Sequence, residues 1–238
     1  MGEEMKIDKE RCINCRSCMD YCPVGAIKPA DGGIYIDQDL CVECAVCLKS
    51  GACGQDALYQ PVLGWPRILR SQFSDPLVSH PATGIRGRGT AEMKTNDVTG
   101  RFREGEVGFA IEMGRPGIST SFADVEKIAS AMAGRVEFEP LNPVTALLDT
   151  ETGKFKESSV RLERSLSAII ECKTTEDRGL EVLNLLREAS EEIDTVFSLC
   201  VINRCVDGVP PFKAVMEAAG FTPRINGKTN VGLGRPLA

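Results

Sequence analysis

The sequence predicts an α+β protein, a small cysteine-ligated head followed by a split βαβ sandwich. Two observations predict it. Eight of the eleven cysteines fall within the first 53 residues, in two runs of nearly equal spacing. From Glu106 onward, short strand-like runs alternate with runs of helical period, and the alternation occurs twice. Residues 1–60 are read as the head, 61–103 as a basic connector rich in Pro, Gly and Arg, and 104–238 as tandem βαβ units.

In the head, the first run is Cys12-x2-Cys15-x2-Cys18-x3-Cys22, followed by Pro23. The second is Cys41-x2-Cys44-x2-Cys47, completed by Cys53 after a gap of five. Three thiolates at this interval wrap one face of a cubane, and the fourth ligand comes from elsewhere in the chain. Two such tripods and two distant closing cysteines specify two [4Fe–4S] clusters with crossed ligation. Cys12, Cys15, Cys18 and Cys53 are assigned to one, and Cys41, Cys44, Cys47 and Cys22 to the other. Zinc ribbons use isolated C-x2-C pairs, so a third cysteine at the same interval in both runs favours the cubane.

These residues resemble the bacterial two-cluster ferredoxins, over roughly Lys6 to Gln60. Cys22-Pro23-Val24-Gly25-Ala26-Ile27 closes the first half, and Cys53-Gly54-Gln55-Asp56-Ala57-Leu58 closes the second in the same register. The tripods are offset by 29 residues and the closing cysteines by 31. An internal duplication has thus gained two residues in its second half, within Leu48 to Ala52. Gly54 stands where the family usually has Pro, which leaves the loop conformation and the potential of the cluster fed by Cys53 open.

The connector carries Pro61, Pro66, Pro76 and Pro81, then Thr83-Gly84-Ile85-Arg86-Gly87-Arg88-Gly89-Thr90, with no clear periodic pattern. A loop of that length in a compact protein is usually functional or disordered. Trp65, Ile68, Leu69 and Phe73 argue against disorder, and the segment is expected to wrap over the other parts and dock. Charge supports this. The chain carries a net charge of −6, yet residues 61–103 are net positive and the segments on either side net negative. An acidic chain with one short basic segment is not a nucleic-acid binder.

Beyond the connector, Val107-Gly108-Phe109-Ala110-Ile111-Glu112-Met113 reads as a strand. Ser121-x-x-Asp124 reads as a capping box, ahead of a helix face of Val125, Ile128, Ala129 and Met132. Gly134 ends that helix and Val136-Glu137-Phe138 is a short strand. The series repeats with a strand at 167–172, a cap at Thr174-x-x-Asp177, and a helix face of Val182, Leu185, Leu186, Ala189 and Ile193. A strand at 196–202 and a last helix from Pro211 to Ala219 complete it. Two βαβ units imply helices on one face of a mainly antiparallel sheet, ferredoxin-like or ACT-like. Near residues 107–132, a strand, then Gly114-Arg115-Pro116-Gly117, then a helix resembles ACT-type domains, which would imply small-molecule sensing.

Lys94-Thr95-Asn96 and Lys228-Thr229-Asn230 form twin segments, each running on towards a Gly-Arg. With the connector's charge they suggest that Arg86, Arg88, Lys94, Arg101, Lys228 and Arg235 gather round one anion. Surface turns use the same residue types, and that reading competes. Cys172 and Cys200 are expected to be buried strand residues and Cys205 to be exposed. His80, the only histidine, is expected in an exposed loop.

The function expected is one-electron transfer through two low-potential [4Fe–4S] clusters. The long remainder points to a dedicated subunit or accessory protein of a redox enzyme more than to a catalytic chain. The alternatives are a regulatory protein whose α+β part binds a small ligand, or an iron–sulfur enzyme with an anionic substrate. The expected partners are a redox enzyme or an electron donor or acceptor protein, with homo-oligomerisation compatible. No apolar run reaches membrane-spanning length, and Met1 to Lys9 is charged, unlike a signal peptide. Thiolate ligands imply a reducing compartment, so a cytoplasmic, anaerobic setting is expected.

Overall fold

Turns rather than long periodic runs shape the head of this computed structural model, which describes residues 4–86, 89–90, 93, 100–114 and 119–224. Strands β1 (Lys6–Ile7), β2 (Ile27–Ala30), β3 (Gly33–Ile36) and β4 (Leu58–Tyr59) accompany one short helix, α1 (Val46–Lys49). β2 and β3 form a hairpin through Asp31-Gly32, where Gly32 takes the left-handed position at φ 81°, and β1 pairs antiparallel with β4. The core here is small. Met5, Ala26, Ile27, Ile34 and Leu58 pack directly around buried cysteines.

The 61–103 segment holds a helix that its sequence did not announce, α2 (Ile68–Ser74). Leu69 and Phe73, four residues apart, lie on one face and join the core of the following sheet. Arg67 and Arg70 turn the other way, onto the head. The segment, expected to hold little regular structure, carries this one short helix among its described residues. The expectation of docking agrees with the burial of α2.

The rest runs through β5 (Glu106–Met113), β6 (Thr120–Ser121), α3 (Phe122–Met132), β7 (Glu137–Phe138) and α4 (Pro143–Leu147). It continues with β8 (Leu148–Asp149), β9 (Lys154–Phe155), a 3₁₀ turn (Ser158–Leu162), β10 (Arg164–Ser165), β11 (Ala168–Thr175), α5 (Glu176–Ser190), β12 (Phe197–Asn203) and α6 (Pro211–Ala218). Four of these strands form a sheet in the order β12-β5-β11-β7, antiparallel throughout. β5-α3-β7 and β11-α5-β12 are the two βαβ units, each split by a strand of the other.

Alternation on β5 places Val107, Phe109, Ile111 and Met113 in the core, all fully buried. Val125, Ile128, Ala129 and Met132 of α3 and Val182, Leu183 and Leu186 of α5 meet them. Each of these side chains larger than alanine contributes roughly 1.5–3 kcal/mol. On the other face of the sheet, Phe102 and Thr90 of the incoming segment lie against the central strands β5 and β11. A Cβ on Gly108 would lie 2.3 Å from the Phe102 ring, so glycine is what admits that ring. Glu171, fully buried, accepts the Thr90 N–H at 2.8 Å and the Asn142 amide at 2.7 Å.

Ser121 caps α3 as its sequence pattern predicts, accepting from the Asp124 N–H at 3.0 Å. The second expected cap is corrected. β11 extends to Thr175, which becomes the N-cap without a side-chain bond, and the Thr174 hydroxyl donates to Arg135 O at 3.0 Å. Cys172 is fully buried and Cys205 exposed, as expected, but Cys200 is exposed. β12 is an edge strand, and Cys200, opposite Ala110, points away from the helices. His80 is also corrected. It is 3% exposed and sits edge-on to Phe73 with ring centroids 5.7 Å apart. Among the described residues, no helix is long and apolar enough to cross a membrane.

Candidate metal centre

Each cysteine run is bent by residues in the left-handed region, which non-glycine residues seldom occupy. They are Asn14 (φ 56°) and Arg16 (φ 66°) in the first run and Glu43 (φ 53°) and Ala45 (φ 56°) in the second. The positions correspond at the 29-residue offset. Local strain of this kind persists only where its surroundings impose it. Here the bends turn successive thiols to one side.

The flanking turns are duplicated too. Cys12 N–H donates to Asp8 O at 3.0 Å and Cys41 N–H to Asp37 O at 2.9 Å. The halves then cross. Asp8 N–H reaches Ala57 O at 2.7 Å, and Asp37 N–H reaches Ala26 O at 2.8 Å. This exchange carries each closing cysteine to the other run. Cys12, Cys15, Cys18 and Cys53 line one cavity, and Cys22, Cys41, Cys44 and Cys47 line another, each partly open to solvent. These are the two groups that the spacing assigned. Among the described residues, no three His, Cys, Asp or Glu side chains converge on a single-ion site. The cysteines stand around cavities instead.

The donor set suits a polynuclear thiolate cluster. Ala26 N–H donates to Cys22 Sγ at 3.1 Å and Ala57 N–H to Cys53 Sγ at 3.3 Å, and such bonds favour a charged sulfur. Burial acts the other way. It pushes Cys41 and Cys47 up to about 12 and raises Cys18 and Cys44. Cys15, at the surface, is lowered by the Ser17 backbone and hydroxyl. The buried thiols therefore stay protonated until a metal ionises them, as coordination does.

The two cavities differ in their surroundings. Around the first, Cys15 is exposed and Cys12 and Cys53 are half-buried; around the second, Cys41, Cys44 and Cys47 are all buried. Fully buried Glu43 accepts from Met5 N–H at 3.2 Å, Gln60 Nε2 at 2.8 Å and Arg67 Nε at 2.8 Å. Arg70 Nη1 donates to Cys41 O at 2.7 Å and Gln38 O at 2.8 Å, and its Nε pairs with Glu163. Lys49 pairs with Asp75 nearby. Glu43, Arg67 and Arg70 are site residues that the cysteine spacing does not reveal. Two signals pointed to them, a carboxylate where the duplicate has Asn14 and an Arg-x-x-Arg beside Leu69 and Phe73.

The expected anion site is not assembled from the described residues. Arg86 is exposed and bonds Ser79 Oγ at 3.4 Å. Arg101 pairs with Glu137 at 3.1 Å and Glu139 at 2.6 Å. Arg88, Lys94, Lys228 and Arg235 lie outside the described residues, as do Arg115, Pro116 and Gly117 of the ACT-like turn.

Comparison with known proteins bears on the head and, in one case, reaches beyond it. Residues 5–28 match the 4Fe-4S binding domain family. The chain is similar to ferredoxin Fdx2 of Sorangium cellulosum, 32% identical over 99 residues, covering 40% of this chain and 94% of that protein. It is 40% identical to pyruvate synthase subunit PorD of Methanocaldococcus jannaschii over 44 residues, 18% of this chain and 51% of that subunit. It is 48% identical to ferredoxin-1 of Rhodobacter capsulatus over 40 residues, 17% of this chain and 62% of that protein. The chain thus spans only half to three fifths of the length of the last two. No solved structure matches.

Proposed function

This chain belongs to the ferredoxin family of 4Fe-4S proteins, and from that premise we propose that it holds two [4Fe–4S] clusters and passes single electrons to one redox enzyme. Cys12, Cys15, Cys18 and Cys53 would hold one cluster, and Cys22, Cys41, Cys44 and Cys47 the other. The observation that carries the reading is the lining of the two cavities, each by three cysteines of one run and the closing cysteine of the other.

When bound, such a cluster supplies a one-electron couple whose potential follows net charge, hydrogen bonds to sulfur and solvent exposure. The chain's own residues do the rest. Eight thiolates fix the clusters, the Ala26 and Ala57 amides steady two of the sulfurs, and Met5, Ile27, Ile34 and Leu58 keep water from the inner sides. Thiolate ligation in an acidic head disfavours an added electron, so both potentials are expected to be low.

Residues 61–238 support the reading of a dedicated subunit, because a free shuttle needs only the head. The likeness to a protein named as a pyruvate synthase subunit supports it too. Cytoplasmic, anaerobic work follows from ligand thiols that oxygen would attack. Anaerobic analysis of the reconstituted chain should find about eight iron and eight sulfide and no zinc. About four iron with zinc overturns the two-cluster reading. Anaerobic isolation from its own cell should bring down an oxidoreductase, and a chain that elutes alone speaks against the dedicated subunit.

A further inference from the structure

Fixed charge reaches the two cysteine sets unequally. Glu43 lies between Cys41 and Cys44, fully buried, where the first run has the exposed, neutral Asn14. Left alone, this carboxylate would oppose any added negative charge beside it. It is not alone, since Arg67 grips it through Nε at 2.8 Å and Nη2 at 2.7 Å. One turn on, Arg70, 6% exposed, gives Nη1 to the carbonyls of Cys41 and Gln38. Its counter-ion Glu163 is taken by Nε, so Nη1 remains directed at the cysteine loop. Both arginines belong to the segment that follows the head.

From this we infer that Arg67 and Arg70 set the reduction potential of the centre held by Cys22, Cys41, Cys44 and Cys47 and leave that of the other centre alone. The inference rests on the two-cluster reading. Reduction brings in one electron from an external low-potential donor, with no bond made or broken, and adds one negative charge to a centre already ringed by thiolates. In surroundings shielded from water, a guanidinium beside that centre favours the reduced form and a carboxylate disfavours it, more strongly than at the surface. The two halves of the duplication therefore carry unlike potentials, and the docking of α2 is what separates them.

An anaerobic redox titration of the full chain, followed by electron paramagnetic resonance alongside iron analysis, tests this. The wild type should show two one-electron steps. Arg67→Gln and Arg70→Gln should each lower one and the same step, by about tenfold in its equilibrium constant, or about 59 mV, with the other step unchanged. Arg70→Lys, which keeps the charge, should leave the potential close to that of the wild type. Glu43→Gln should move that same step upward. Steps that shift together, steps that do not shift, or a Glu43→Gln shift in the same direction as the arginine variants would each overturn the inference. Should the arginine variants lose iron, Glu43→Gln decides alone, an upward shift in one step supporting the inference and no shift overturning it. A wild type with about four iron and a single step removes the two-cluster reading itself, a result distinct from two steps that ignore the substitutions.

Discussion

Asn14 and Glu43 occupy the same place in two copies of one motif, with φ values three degrees apart, yet their surroundings differ. Asn14 is at the surface, its side chain 3.6 Å from Cys12 Sγ. Glu43 is sealed in, holding one backbone amide, one glutamine and one arginine. The cysteine motif dictates the backbone, because the same bends and crossed amides recur in both halves. What lies over each half comes from outside the motif. A duplicated site can thus become two different sites without altering a ligand.

The comparison can be broken most severely at the closing cysteines. Cys22→Ser should damage the centre built on Cys41, Cys44 and Cys47, and Cys53→Ser the one built on Cys12, Cys15 and Cys18. Paramagnetic NMR of the cysteine protons should show each loss in the opposite run. Damage confined to the mutated run would refute the crossed assignment.

A smaller effect separates Glu43 from Asn14. Glu43→Ala strands the Arg67 guanidinium and two further donors, and breaking a buried pair from one side costs about 3–5 kcal/mol. Asn14→Ala, at the surface, should cost only about 1–2 kcal/mol, the penalty of an alanine at the left-handed φ of 56°. Anaerobic denaturant midpoints of the two variants measure the difference directly, and equal losses would mean that α2 does not shield the second half.

The smallest effect is in pH. Burial holds the His80 imidazole below its ordinary value, so the fold accommodates the neutral ring. The unfolded chain then binds more protons, and this contribution is complete above the ordinary histidine value and is lost as pH falls from there through the folded value. Since His80 packs on Phe73 of α2, acidification should loosen the cover over the second half. Between about pH 7 and pH 5, the midpoint should fall further in the wild type than in His80→Gln. Parallel curves would mean that the ring is not constrained there.

Elements with a long enough period were legible in the sequence. β5, α3, β11, α5 and β12 were readable because each carries an apolar run or stripe over six residues or more, and the Ser121 cap has a local rule. α2 was not, since seven residues among prolines carry a single i, i+4 apolar pair. Cys200 misled because β12 is apolar on both faces, and an edge strand buries only one of them. His80 looked like a loop residue, and only the tertiary position of Phe73 covers it. In the metal centre, the cysteines stood out through spacing, which survives in one dimension. The partners of Glu43 are 17 to 38 positions away and follow no interval that a motif could encode.

The exchange of closing cysteines also has a consequence in time. As the chain leaves the ribosome, the pocket begun by Cys12, Cys15 and Cys18 lacks a wall until Cys53 has emerged, 35 positions after Cys18. At about 5–20 residues per second, that interval lasts roughly two to seven seconds. Throughout it, three thiols of the first run are without their fourth companion, and Cys22 waits for its run until Cys47 has followed. Iron offered early would meet an open tripod.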